Sequence, residues 1–139
     1  MRFRFPTDGG TSADGEGLRR VASLWCTLKG TSQTWDAQSG AYKAEPSSEA
    51  VYSFTAIDLS HGTATLSGNS GTVDVVVVGG PEGLLFIEPR QMNPPVSTHV
   101  LPNRLDDGSF FAVGVRPGYS PFGGAPFVTF LIGSCRASS

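Results

Sequence analysis

Apolar and β-branched residues alternate with polar ones in short segments along most of this chain. Gly, Pro, Asn and Asp interrupt them at short intervals. That pattern predicts strands joined by tight turns. The first spans Val21–Lys29. A weaker pair follows at Ser32–Asp36 and Ala41–Lys43, turning at Gln38-Ser39-Gly40. Glu49–Asp58 puts Tyr52, Phe54 and Ala56 on one face and Val51, Ser53, Thr55 and Ile57 on the other. Thr63–Ser67, Thr72–Val78, Leu84–Glu88, Val96–Leu101, Phe110–Arg116 and Phe127–Cys135 complete the set. Asp106-Asp107-Gly108 is a hairpin turn.

Eight or nine strands with hairpin-length links favour a meander over a Greek key. The expected fold is therefore all-β: a closed up-and-down antiparallel β-barrel of about eight strands. Such a barrel is just wide enough to be filled by side chains or to hold one small ligand. Val75–Val78, Leu84–Ile87 and Phe127–Ile132 are apolar on both faces, which calls for cover on part of the outside as well as an apolar lumen. Residues 1–18 are rich in Gly, Ser, Thr and Asp toward their end and are expected to be a flexible segment, leaving 19–139 as one domain. No stretch of 12 residues after position 20 escapes a Gly, a Pro or a β-branched run, so a long-helix protein is excluded.

Composition narrows the function classes. Hydrophobic residues make up 39 % and charged residues 16 %, enough apolar material for a core. A net charge of −2 leaves no electrostatic footprint for nucleic acid. No run of 18 apolar residues exists to span a membrane as a helix. Met1-Arg2-Phe3-Arg4-Phe5-Pro6 lacks the apolar stretch of a signal peptide. Either the protein is made without export or the chain is a mature form whose leader has been removed.

The two cysteines, Cys26 and Cys135, lie near opposite ends of the domain in β-prone runs. They are either one disulfide joining the first and last strands, in an oxidising compartment, or two buried thiols acting as small hydrophobes. The bridge is the expectation, and with it a secreted or periplasmic location. If the two cysteines face each other on antiparallel strands, Trp25 falls opposite Arg136. A first-strand tryptophan met by an arginine at the end of the last strand resembles the structural signature of lipocalin-like (calycin) barrels. That resemblance implies an arginine packed over the indole, closing the barrel base. The chain departs from the pattern in carrying Ser23 where lipocalins carry glycine. Phe86-Ile87-Glu88 and Leu131–Cys135 are also similar to small exported bacterial barrels without assigned activity.

Candidate chemistry is sparse. His61 sits in a turn. His99 shares a strand face with Ser97 and Leu101; if that face is the lumen, His99 is a base or orients a ligand, and otherwise it is an exposed or hydrogen-bonded barrel histidine. Asp58, Asp74 and Glu88 are the carboxylates within strands. Asp74 is expected on the outer face; buried, it would need Arg116 or Lys29 as partner. There is no G-x-S-x-G, H-E-x-x-H or P-loop, and no cofactor or metal site is expected. Aromatic residues are the better hint. Trp35, Tyr42, Tyr52, Phe54, Phe86, Phe110, Phe111, Tyr119 and Phe122 exceed what a narrow barrel needs as fill, and Tyr119 and Phe122 lie in a Gly/Pro-rich loop. The expected ligand-binding set is Trp35, Tyr52, Phe54, Phe86, His99, Phe111 and Tyr119, around an apolar or aromatic small molecule. Alternatives are a filled barrel acting through its loops as a partner or inhibitor-type protein, and a barrel isomerase or cyclase. A homo-oligomer would cover strands that are apolar on both faces.

Overall fold

The computed structural model describes residues 15–120 and 124–138. The short helix α1 (Gly15–Arg19) precedes nine strands: β1 (Leu24–Asp36), β2 (Ala41–Pro46), β3 (Ala50–Asp58), β4 (Thr63–Gly68), β5 (Gly71–Gly80), β6 (Gly83–Glu88), β7 (Val96–Arg104), β8 (Phe110–Tyr119) and β9 (Pro126–Ala137). Every pairing is antiparallel. The strands lie in the order β2-β1-β3-β4-β5-β6-β7-β8-β9, and β9 returns to β1. Eight strands therefore close a meander barrel, as the turn pattern predicts. β2 is an extra strand beside the far half of β1, pairing with Thr31–Asp36 while β3 pairs with Leu24–Leu28.

The closure seam is the longest ladder, running from Leu24 against Ala137 to Thr34 against Phe127. β1 is thus one 13-residue strand, where the sequence predicts a break at Gly30. The glycine is there for proximity. A Cβ on Gly30 would come within 1.8 Å of the Phe130 carbonyl oxygen, and one on Gly133 within 2.0 Å of that of Thr27. Only glycine lets the two backbones approach so closely. In the same ladder Cys26 faces Cys135, and the two form a disulfide with Cα atoms 4.0 Å apart, both wholly buried in the lumen.

The lower half of the barrel is filled. Leu24, Leu28, Phe54, Val77, Leu84, Phe86, Val100 and Phe110 form its core, and Leu18 closes the end. Leu18 is fully buried on α1, which packs against β5, β6 and β7. The last residues of the expected flexible segment, 15–18, thus lie in α1, where one leucine finds an open barrel end to fill. The rest of that segment lies outside the described residues. A correction falls on β3. The register with β4 shifts between Thr55 and Asp58, and Ala56 takes a φ of +52°. The extra residue turns Ala56 out to solvent and brings Ile57 against the core, the reverse of simple alternation.

The packing expected of Trp25 and Arg136 is not formed. Trp25 does stand opposite Arg136, but it faces outward and is 55 % exposed. Arg136 donates to the Asp107 carboxylate at 3.0 Å, and Leu18 rather than an indole closes the base. Outside, two rows cross five strands. One runs Val78, Leu85, His99, Val113, Ile132 to Lys29 on β1. Its neighbour runs Val76, Ile87, Ser97, Val115, Phe130 to Thr31.

Two expectations follow. The disulfide closes a separation of 109 residues. In the chain-entropy picture it contributes up to about 4–5 kcal/mol by restricting the unfolded chain. Denatured, unreduced protein should titrate no free thiol, and Cys26→Ser with Cys135→Ser should lower the urea midpoint by a loss of that order. Titration of two thiols in unreduced protein would contradict the bridge.

The second concerns the β3–β4 turn. Asp58 Oδ1 accepts from the Ser60 hydroxyl at 2.6 Å and from the backbone N–H groups of Ser60 and His61. The Ser60 hydroxyl first, then His61, hold this carboxyl down at about 2, below its ordinary 3.8. A depressed folded-state pKa contributes stability that is complete above the unfolded value and is lost as pH falls through the folded one. The melting-temperature gap between wild type and Asp58→Asn should therefore be constant above pH 5 and shrink between pH 4 and 2. A gap independent of pH over that window would contradict it.

Candidate functional site

The upper half of the barrel is empty. A cavity of about 620 Å³ opens at the end away from α1, between the start of β3, the β4–β5 turn and the mouth ends of β6 to β9. Register explains why the filling stops. The row that crosses the lumen through Phe86 continues as Thr98, Gly114, Leu131 and Gly30, and the next row toward the mouth is Glu88, Val96, Arg116, Thr129 and Ser32. Gly30, Gly114, Thr98, Thr129 and Ser32 stand in these rows where the lower rows carry Leu and Phe, so less side-chain volume fills the lumen here.

The floor is aromatic. Phe54 and Phe86 stack across the barrel with centroids 3.8 Å apart and planes 12° from parallel. Tyr52 meets the edge of Phe54 at 5.5 Å, nearly perpendicular. Its hydroxyl shares a 2.9 Å hydrogen bond with Thr98 Oγ1, so a phenol pointing into the lumen is satisfied there. Burial raises the Tyr52 pKa above its usual 10, the Thr98 hydrogen bond and Arg116 opposing the rise. The phenol is neutral in the physiological range. The Arg116 guanidinium lies 5.7 Å from the centre of its ring. Across the seam, Ser32 Oγ and Thr129 Oγ1 share a 2.7 Å hydrogen bond. Among the described residues no buried side-chain polar atom lacks a partner. The lining is thus an aromatic floor, apolar walls including Val75 and Leu131, and a rim carrying Glu49, Glu88, Arg90 and Arg116.

Of the expected binding set, Tyr52, Phe54 and Phe86 come together here. The others do not. β7 turns Thr98 and Val100 inward, so His99 faces outward with Ser97 and Leu101, and its Nε2 lies 3.2 Å from the Glu82 carbonyl oxygen. The mixed polarity of both faces of β7 hides this phase; packing of Val100 against Leu84 and Ala112 decides it. Trp35 stands on the β1–β2 hairpin, edge-on to Tyr42 at 5.1 Å. Phe111 is outward beside Ser134, and Tyr119 is exposed at the end of β8, which continues through Pro117 and Gly118 instead of yielding to a loop. Phe122 lies outside the described residues. His61 is in its turn and Asp74 on the outer face, as expected.

Thr98, Thr129, Glu88, Arg116 and Phe127 are lining residues that the expected binding set did not include. The signal available was parity: each lies an even number of positions from a core residue on its own strand. No cluster of three or more His, Cys, Asp or Glu able to hold a metal exists among the described residues. No helix among them is long and apolar enough to cross a membrane. No family model, curated protein or solved structure matches the chain.

The Tyr52–Thr98 pair is testable through stability. Tyr52→Phe leaves a buried threonine hydroxyl unpaired and should cost about 1–2 kcal/mol. Adding Thr98→Val to that variant should cost less than Thr98→Val alone costs in wild type, because the partner is already gone. Strict additivity in urea unfolding would show that the two hydroxyls do not act together.

Proposed function

We propose that this barrel is a binding module that holds one apolar or aromatic small molecule in its upper half, above the Phe54–Phe86 stack. The carrying observation is the cavity itself: about 620 Å³, in the size range of small-molecule pockets, with an aromatic floor. A flat apolar group set on Phe86, Phe54 and Tyr52 would bury ring surface on both sides and could pack offset or edge-on, the favoured aromatic geometries. The wall hydroxyls of Tyr52 and Thr98 are paired with each other and that of Thr129 with Ser32, so an apolar ligand breaks no hydrogen bond by entering. The lower half, closed by Leu18 and tied by the disulfide, acts as a rigid base. A pre-formed cavity spends little of the binding energy on ordering.

The disulfide supports an oxidising location, and we read the protein as secreted or periplasmic on that ground.

Titration with an environment-sensitive apolar dye should saturate near one dye per chain, and apolar aromatic compounds should displace it. Val96→Trp, which fills the lumen from the rim row, should weaken the dye at least tenfold while far-ultraviolet circular dichroism stays unchanged. Binding that never saturates, or that survives Val96→Trp at full strength, would place the dye elsewhere and favour a barrel that works through its surface.

A further inference from the structure

Of the charged residues lining the cavity, Glu49 and Arg90 stand exposed at its rim, whereas Glu88 and Arg116 are half-buried. Arg116 belongs to the row one step above the floor, two residues or about 7 Å of strand beyond Gly114. From there its guanidinium overhangs the floor, 5.7 Å from the centre of the Tyr52 ring. Among the described residues it has neither an ion-pair partner nor a hydrogen-bond acceptor. Glu88 is two strands away with Val96 between, about 10 Å along the row. At the Tyr52 hydroxyl the influence of Arg116 exceeds the opposing one of Glu88. A guanidinium stays charged at physiological pH, and holding it half-buried without a counter-charge costs free energy. The Tyr52 ring face offsets part of that cost, yet it leaves the N–H donors of the fork unused. Thr129, the ladder partner of Arg116, shares one hydrogen bond with Ser32. When Ser32 donates that bond, the Thr129 hydroxyl keeps its own hydrogen for a ligand.

We propose that Arg116 anchors a carboxylate and that the ligands of this cavity are aromatic acids, a flat ring system on the Phe54–Phe86 floor with one carboxylate toward the mouth. The assignment rests on the binding-module reading and specifies its ligand. A carboxylate meets the guanidinium through two parallel N–H···O bonds, a match that a neutral head group lacks. The Thr129 hydroxyl adds a donor on the adjoining strand. The short rise from floor to Arg116 suits a carboxylate on the ring or one or two carbons from it. A cationic head is disfavoured, because Arg116 and not Glu88 overhangs the floor. A wholly apolar ligand would leave the guanidinium half-buried and without a counter-charge.

Calorimetric titration with 1-naphthylacetate and with its neutral isostere 1-naphthylacetamide tests the head group directly, since the two share one ring system. Wild type should bind the acid at least about tenfold more tightly than the amide. That ratio should shrink as sodium chloride rises from about 20 mM to about 500 mM. Arg116→Gln should bring the ratio below about two, and Arg116→Lys, which keeps the charge without the fork, should leave it between. Should Arg116→Gln fail to fold, Glu88→Gln decides: loss of the opposing charge should raise the ratio about twofold or more. A wild-type ratio near one, a ratio unchanged in folded Arg116→Gln, or one unmoved by Glu88→Gln each overturns the assignment. If neither compound binds while the neutral apolar dye still saturates, the aromatic-acid assignment falls and the binding module stands. If the dye fails as well, both fall.

Discussion

Closure of β1 against β9 is the constraint on which the rest of this molecule depends. A meander has two free edges until its first and last strands meet, and each edge is a row of unpaired backbone groups. Here the two strands come from opposite ends of the domain, so their pairing orders a loop of about a hundred residues and brings no local contacts in return. Two devices make it favourable. Gly30 and Gly133 remove the Cβ atoms that would strike the opposing backbone, and the Cys26–Cys135 bond takes much of the closure entropy out of the unfolded state. Neither device serves without the other: side chains at the glycine positions would force apart strands that the disulfide holds at 4.0 Å.

With the seam fixed, parity assigns the other side chains up to the register shifts in the β3–β4 and β7–β8 ladders. Inward positions below Phe86 carry Leu, Phe and Val, and Leu18 completes the packing from outside the sheet. The helix that delivers Leu18 is too short to be stable alone; burial of a single leucine, about 2 kcal/mol of transfer free energy, holds it in place. Arg104 over the Phe110 ring at 4.4 Å and the Asp107–Arg136 pair finish the closed end with exposed charge. Salt screens such pairs, and they contribute little beside the core.

Much of this was legible in the sequence, and the failures share a cause. Strand number, meander order and the Cys26–Cys135 partnership followed from turn residues, β-branched runs and the position of two cysteines. Tyr52, Phe54 and Phe86 were identified because they alternate with polar residues or sit in a short buried run. His99 was not, since Val96-Ser97-Thr98-His99-Val100-Leu101 carries polar residues on both faces and only the neighbours Leu84 and Ala112 fix its phase. Ala56 looked like a third inward residue because a bulge leaves no mark in composition; the tight Asp58–His61 turn that follows it sets the register. Leu18 was invisible because a lone leucine among glycines and charges has no periodicity, and its partner is the open end of a barrel formed by residues far along the chain.

The same steric economy that allows the seam also empties the upper lumen. Gly30 is glycine because of the Phe130 carbonyl, yet it stands in the row that continues through Leu131, Gly114 and Thr98 to Phe86. A row with two glycines and a threonine cannot fill an eight-stranded interior that elsewhere takes leucine and phenylalanine. Gly114 has no such excuse. A Cβ there would meet Leu131 and Leu28 only at ordinary contact distances, 3.4 Å and beyond. Alanine would fit, so backbone geometry does not demand the glycine. Thr98 likewise stands where valine would pack equally well, and its hydroxyl answers Tyr52. The empty half is therefore only partly a consequence of closure. At Thr98 the chain holds a polar wall, and at Gly114 a residue smaller than the backbone requires, where a barrel built for stability alone would carry apolar side chains.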